Sequence, residues 1–168
     1  LLNFDKIALK EITHLNTQEF DRWLSVLYQQ LMQRQHRCLL VLHGSLKWSN
    51  QLAHQLINLY QAKQITSVIV YGDGYSGDQH LLVGNYRHHL GSENHLLVFA
   101  DSNFHPDAFA ALSGTLVAGG VMIWLCPPEL IENKTDLFIQ RLWQKISCDN
   151  QSLVINQTDN ALPLLPST

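Results

Sequence analysis

With 168 residues, of which 46% are hydrophobic, the chain is long enough to bury a core as a single domain. Its formal net charge of −3 argues against a free-standing nucleic-acid binder, and no apolar run approaches the ~20 residues that a membrane span needs. Only 15% of the residues are charged, against ~25% in an average domain, which indicates that a further surface covers part of this one.

The first half of the chain predicts alternating helices and strands. Apolar side chains between residues 20 and 31 recur at helical spacing, and Asn16 is placed to cap that helix. The apolar run Cys38–His43 is too short for a helix and predicts a buried strand. Ser49 is predicted to cap a second helix, and Ser67–Tyr71 is predicted to form the second strand.

The same alternation continues after a glycine-rich loop. A weak helix is predicted over Gln79–Leu90, and Leu96–Ala100 is the third strand. Pro106 suits the first position of the next helix, because the N–H that proline lacks would be unpaired there. Gly119 and Gly120 are predicted to end that helix in the left-handed conformation.

The last third of the chain predicts two more strands and a helix. Ser113 and Gly114, inside the helix that starts at Pro106, are interpreted as small residues that let this helix approach the sheet. The run Val121–Cys126 reads as the fourth strand, Thr135 as the cap of a last helix, and Ser152–Ile155 as a fifth strand.

Alternation of this kind, with strands apolar on both sides, is typical of a parallel sheet covered by helices on both faces. We therefore predict an α/β fold, a three-layer αβα sandwich around a mostly parallel, Rossmann-like sheet of about five strands. Residues 1–157 are predicted to form this one domain, and residues 158–168 a linker. Both ends of the chain look like cuts through a longer protein, so we expect further modules.

The clearest ligand motif is a G-x-G-x-x-G pattern made by Gly72, Gly74 and Gly77 directly after a predicted strand. In a dinucleotide site the glycines let the backbone approach a pyrophosphate, and Asp101 would hold a ribose. Asp73 argues against this site, because its carboxylate would lie beside the phosphates. An independent nucleotide- or dinucleotide-binding protein remains the alternative.

A phosphate-binding P-loop, in contrast, is incomplete. Residues 44–47 follow the first strand, but they lack the second glycine and the Ser or Thr after the lysine. The sheet is therefore predicted to be RecA-like without a P-loop, and Asp101 is predicted to order the loop before Pro106.

Metal and catalytic sites are not expected. None of the nine histidines is spaced as in H-E-x-x-H, and no cysteine pair has ligand spacing. Cys38, Cys126 and Cys148 are interpreted as reduced thiols, which fits a cytoplasmic protein without a signal peptide or membrane partner. We predict no catalytic residue and no cofactor in this chain. Side chains that suit an RNA or interdomain surface are Lys47, Trp48, Arg87, His88 and His89.

Three stretches of sequence resemble a known family: RCLLVLHG with Trp48 beyond it, LGSENHLLVFAD, and PDAFAALSGTLVAGGVMIWLCPP. They are similar to the N-terminal domain of bacterial tRNA(Met) cytidine acetyltransferase. The resemblance covers residues 24–128 and is most specific over residues 109–127.

The resemblance implies what the whole enzyme does. Members of the family continue into a helicase-like ATPase module with a P-loop, an acetyltransferase module and a tRNA-binding tail. The parent enzyme acetylates the wobble cytidine of elongator tRNA(Met), using acetyl-CoA, ATP or GTP, and Mg. By this resemblance the chain is a non-catalytic N-terminal domain that packs on the ATPase module and supports tRNA binding, and residues 158–168 lead toward that module.

Overall fold

The computed structural model describes residues 16–159 and 161–165. The predicted 1–157 domain and 158–168 linker therefore each extend outside the described residues. Five strands form one sheet in the order β2-β3-β4-β1-β5, and every neighbouring pair is parallel. The strands are β1 (Cys38–His43), β2 (Val68–Tyr71), β3 (Asn94–Phe99), β4 (Leu116–Cys126) and β5 (Leu153–Asn156). The helices are α1 (Thr17–Arg34), α2 (Leu46–Ala62), α3 (Pro106–Ser113), α4 (Pro128–Glu132) and α5 (Leu137–Cys148).

Two apolar cores lie on opposite faces of this sheet. Along β3, for example, Leu96 and Val98 belong to one core, whereas Leu97 and Phe99 belong to the other. Helices α1 and α2 cover the first core, and α3 and α5 cover the second. The predicted αβα class is therefore confirmed, and the sheet is wholly parallel within the described residues.

Two helices begin at residues other than those predicted. Helix α2 starts one turn earlier, with Ser45 as its cap, and Ser49 is buried inside the helix with its hydroxyl donating to Ser45 O. Asp136, not Thr135, caps α5 and accepts hydrogen bonds from two backbone N–H groups. In both places the neighbouring polar residues have the same capping chemistry, so tertiary packing decides between them.

The helix predicted over Gln79–Leu90 is wrong. The segment contains two short 3-10 turns, Gln79–Leu81 and Tyr86–His89. The side chains of Asp78 and Asn85 each accept a hydrogen bond from the backbone N–H two residues later, which favours tight turns over a continuous helix. Between the turns the chain lies along the edge of β2, where the Val83 N–H donates to Val70 O.

The roles predicted for the small residues after Pro106 need correction, although Pro106 itself opens α3 as predicted. Gly119 and Gly120 lie inside β4, and the pairing register with β3 shifts at this point. Gly119 has φ +80°, and a Cβ there would lie 3.1 Å from the carbonyl oxygen of Leu31 in α1. Ser113 and Gly114 end the helix on its solvent side, so they do not bring α3 close to the sheet.

The cysteines predict a labelling experiment. Burial raises the pKa of both Cys38 and Cys126 to about 12, whereas Cys148 is exposed at the end of α5. The thiolate is the reactive form, so we expect a thiol reagent at pH 8 to modify Cys148 quickly in the folded chain. The other two thiols should react only after denaturation. Rapid modification of Cys38 or Cys126 in the folded chain would contradict this placement, and Cys148→Ser is the matched control.

Candidate functional site

The loops at the carboxyl ends of the strands form the surface where open parallel sheets bind their ligands. Helix α2 follows β1 and packs on one face of the sheet, whereas α5, which follows β4 after α4, packs on the other face. A crevice therefore opens between the carboxyl ends of the neighbouring strands β1 and β4. Its volume is about 580 Å³. Its lining residues are Ser45, Leu46, Ser102, Pro127, Glu129 and Leu130.

The glycine-rich loop after β2 is folded tightly against the end of β3. Gly72 has φ +112°, and a Cβ at this position would collide with the backbone nitrogen of Asp101. The N–H of Gly74 donates a 2.7 Å hydrogen bond to Ala100 O. A Cβ at Gly74 would lie 2.7 Å from the same oxygen. These glycines are therefore explained by the close approach of the loop to the chain's own backbone.

Several other polar groups of the loop also have partners within the chain. Asn50, buried in α2, donates to Gly74 O at 2.8 Å and accepts from Ser76 N at 2.9 Å. The carboxylate of Asp73 accepts hydrogen bonds from both the hydroxyl and the N–H of Ser102, and these bonds lower the pKa of Asp73. A 3-10 turn follows the loop in the described chain, so the loop does not lead directly into an α-helix whose N-terminus would bind a pyrophosphate, as the dinucleotide interpretation requires.

Asp101 orders the loop before α3, as the sequence predicts. Its carboxylate accepts hydrogen bonds from the N–H groups of Asn103 and His105 and contacts the His105 imidazole Nδ1. These bonds hold Phe104 at φ +45°, a conformation that costs energy for a residue other than glycine. Phe104 is buried and packs 5.0 Å from Trp124, measured between ring centroids.

The loop between β1 and α2 is occupied by a side chain from the far end of the domain. The Ser45 N–H donates a 2.7 Å hydrogen bond to the side-chain oxygen of Gln157. The Gly44 N–H donates to Cys126 O, and the Trp48 N–H donates to the Ser45 hydroxyl. Backbone donors in this position hold phosphate in a P-loop protein. Here these three N–H groups are bonded within the chain.

The predicted RNA or interdomain residues do not form one cluster. Lys47 is exposed on α2, whereas Arg87 and His88 are exposed on the 3-10 turn that contacts α3 on the other face. His89 is half-buried on the same turn. Trp48 is only 3% exposed and packs in the core beneath α2, so its ring is not available to stack on a base.

Asn50 and Gln157 are two residues of this edge that were not predicted from the sequence. Asn50 follows Leu46 by four residues and precedes Ala53 by three, so it lies on the apolar side of α2, and a polar residue at that spacing is a usable signal. Gln157 meets Ser45 across 112 residues of chain, and no local pattern marks such a contact.

Residues 15–157 match the model of the family described as tRNA(Met) cytidine acetyltransferase TmcA, N-terminal. The chain belongs to this family. The match contains all five strands and ends at Gln157, and it confirms the family resemblance seen in the sequence. A comparison with curated proteins finds no match.

Two observations limit other kinds of site in this TmcA N-terminal domain. No helix among residues 16–159 and 161–165 is long and apolar enough to cross a membrane. In the same part of the chain, no group of three or more His, Cys, Asp or Glu side chains is arranged to hold a metal ion.

The glycine-rich loop predicts a stability difference between two glycines. Gly72→Ala places a Cβ against the end of β3 at positive φ and should lower the free energy of unfolding by about 2 kcal/mol or more. Gly84→Ala is the matched control, because nothing lies within 4 Å of its Cβ position. Urea denaturation of both variants measures the difference. Equal stability of Gly72→Ala and the parent chain would show that the loop does not approach Ala100 and Asp101 as described.

Proposed function

We propose that this chain is the non-catalytic N-terminal domain of an enzyme that acetylates the wobble cytidine of elongator tRNA(Met). The observation that carries the proposal is the family match over residues 15–157. The whole enzyme would use acetyl-CoA as acetyl donor and ATP or GTP with Mg, all bound by modules that follow this domain.

The β1–α2 loop supports a non-catalytic role for this domain. A bound nucleotide would need the free N–H groups at the start of α2, and a side chain of the same domain already bonds to the Ser45 N–H. Glu129 in the neighbouring crevice adds a carboxylate where a nucleotide would place its phosphates. Because the Glu129 carboxylate and a phosphate are both negative and repel each other, the crevice disfavours a nucleotide.

Within the parent enzyme we assign the domain two tasks: to pack on the ATPase module and to support tRNA binding in the cytoplasm. The 3-10 turn Tyr86–His89 supports the second task, since it presents Arg87 and His88 to solvent beside an aromatic ring. The Arg87 guanidinium lies 5.8 Å from the Tyr86 ring centroid, and its hydrogen bond to the Tyr86 hydroxyl raises the Arg87 pKa. Cations next to aromatic rings suit contacts with RNA phosphates and bases.

The non-catalytic role predicts inactivity of the isolated chain. The purified 168-residue chain should neither hydrolyse ATP or GTP nor acetylate tRNA(Met) when acetyl-CoA is supplied. The full-length enzyme in the same assay is the positive control. Saturable hydrolysis by the isolated chain would instead support the alternative of an independent nucleotide-binding protein.

The tRNA-binding task predicts a salt-dependent effect at Arg87. In the full-length enzyme, Arg87→Ala should weaken tRNA affinity and lower the slope of log affinity against log salt by about 1, as expected for one lost phosphate contact. Arg22→Ala is the matched control, because Arg22 is exposed on α1, which packs on the opposite face of the sheet from this turn. An unchanged affinity and slope in Arg87→Ala would exclude the turn from the tRNA contact.

A further inference from the structure

The first turn of α5 exposes two adjacent large apolar side chains. Leu137 is 65% exposed and Phe138 is 51% exposed. The Phe138 ring packs against Phe104, with 6.1 Å between ring centroids, so the exposed pair continues outward from the core between the sheet and α3. Exposed apolar side chains that are contiguous with one another mark interaction sites more often than single ones do.

The crevice between β1 and β4 adjoins this pair through α4. Helix α4 contributes Leu130 to the crevice wall, opposite Leu46 at the start of α2. The side-chain amide of Gln140 in α5 donates a 2.6 Å hydrogen bond to Ile131 O in α4, which fixes the two helices to each other. We call the exposed pair together with the crevice the α4–α5 surface.

Carboxylates border the α4–α5 surface. Glu129 lines the crevice, Glu132 is exposed at the end of α4, and Asp136 caps α5. Asp73 lies across the crevice mouth, where it is bonded to Ser102. The exposed cations that the structure describes in this region are Lys134, Arg141 in α5 and Lys47 beside Leu46, so the four carboxylates outnumber them by one.

This charge decides which kind of molecule fits. An RNA strand brings phosphates, which carboxylates repel, and its affinity depends on pairing those phosphates with cations. The N-terminus of α5 at this surface is capped by the Asp136 carboxylate, which accepts hydrogen bonds from the Phe138 and Ile139 N–H groups and takes the place of a phosphate. A protein segment with basic side chains and an apolar tip complements both the charge and the apolar walls.

We propose that the α4–α5 surface docks a positively charged segment of another protein module, which covers Leu137 and Phe138 and inserts an apolar side chain into the crevice. The inference rests on the proposed function in one respect, because it takes the module to be the ATPase module of the same enzyme. It goes beyond that function by assigning the contact to this surface rather than to Lys47 or Arg87.

Leu137→Asp in the full-length enzyme tests this surface. The substitution puts a charge where the partner would bury Leu137, but an acidic residue in the first turn stabilises the isolated helix through the helix dipole. Fraying of α5 therefore cannot explain faster amide hydrogen exchange in the variant. Amide hydrogen exchange over residues 127–141 should be at least tenfold faster in the variant, and high salt should speed it in the parent enzyme. In the isolated 168-residue chain the substitution should not speed exchange.

Val26→Asp is the matched control, since Val26 is 45% exposed on α1, which packs on the other face of the sheet. Equal exchange over residues 127–141 in the parent enzyme and in Leu137→Asp would overturn the inference. If exchange is equal but the domain and the ATPase module of the parent enzyme still unfold in one transition, the two pack on each other through another surface. Separate transitions in the parent enzyme would reject that packing itself. Protection of residues 127–141 that requires added tRNA would assign the surface to RNA and also overturn the inference.

Discussion

Burial of the sheet on both faces is the constraint on which the rest of this domain depends. Val41, Leu97, Ile123 and Trp124 on the three central strands have no measurable exposure. Strands of this kind need helices on both faces. Because each helical crossover returns the chain to a parallel strand, the carboxyl ends of these five strands lie at one edge of the sheet. That edge carries the loops that are free to vary without loss of the core, so it is where a function can be added.

At this edge the chain uses its own groups where related architectures bind a ligand. Asn50 and Ala100 bind the backbone of the glycine-rich loop, and Gln157 binds the start of α2. A buried donor or acceptor without a partner costs about 1–3 kcal/mol, so these bonds stabilise the loops in closed conformations. The Ser45 and Gly74 N–H groups take part in these bonds, so the contacts that stabilise the edge also occupy backbone donors that would otherwise be available to a phosphate.

The elements that could be predicted are those set by local patterns. The bounds of β1 and the start of α3 at Pro106 follow from apolar runs and proline chemistry. Gly119 could not be assigned, because a helix stop and a strand irregularity both require positive φ, and only the approach of α1 selects the second. The predicted helix over Gln79–Leu90 failed because two side-chain turns outweighed a weak apolar periodicity.

Surface chemistry was harder to predict than the fold, because exposure is a tertiary property. Trp48 and Phe138 are both large aromatic residues near the start of a helix, yet Trp48 is 3% exposed and Phe138 is 51% exposed. The difference follows from which side of each helix faces the sheet. Trp48 falls on the side of α2 that packs on the sheet, whereas in α5 that side is occupied by Ile139 and Ile146. Phe138 and Ile139 lie about 100° apart around α5, and only the packing of the helix on the sheet decides that Ile139 is the buried one.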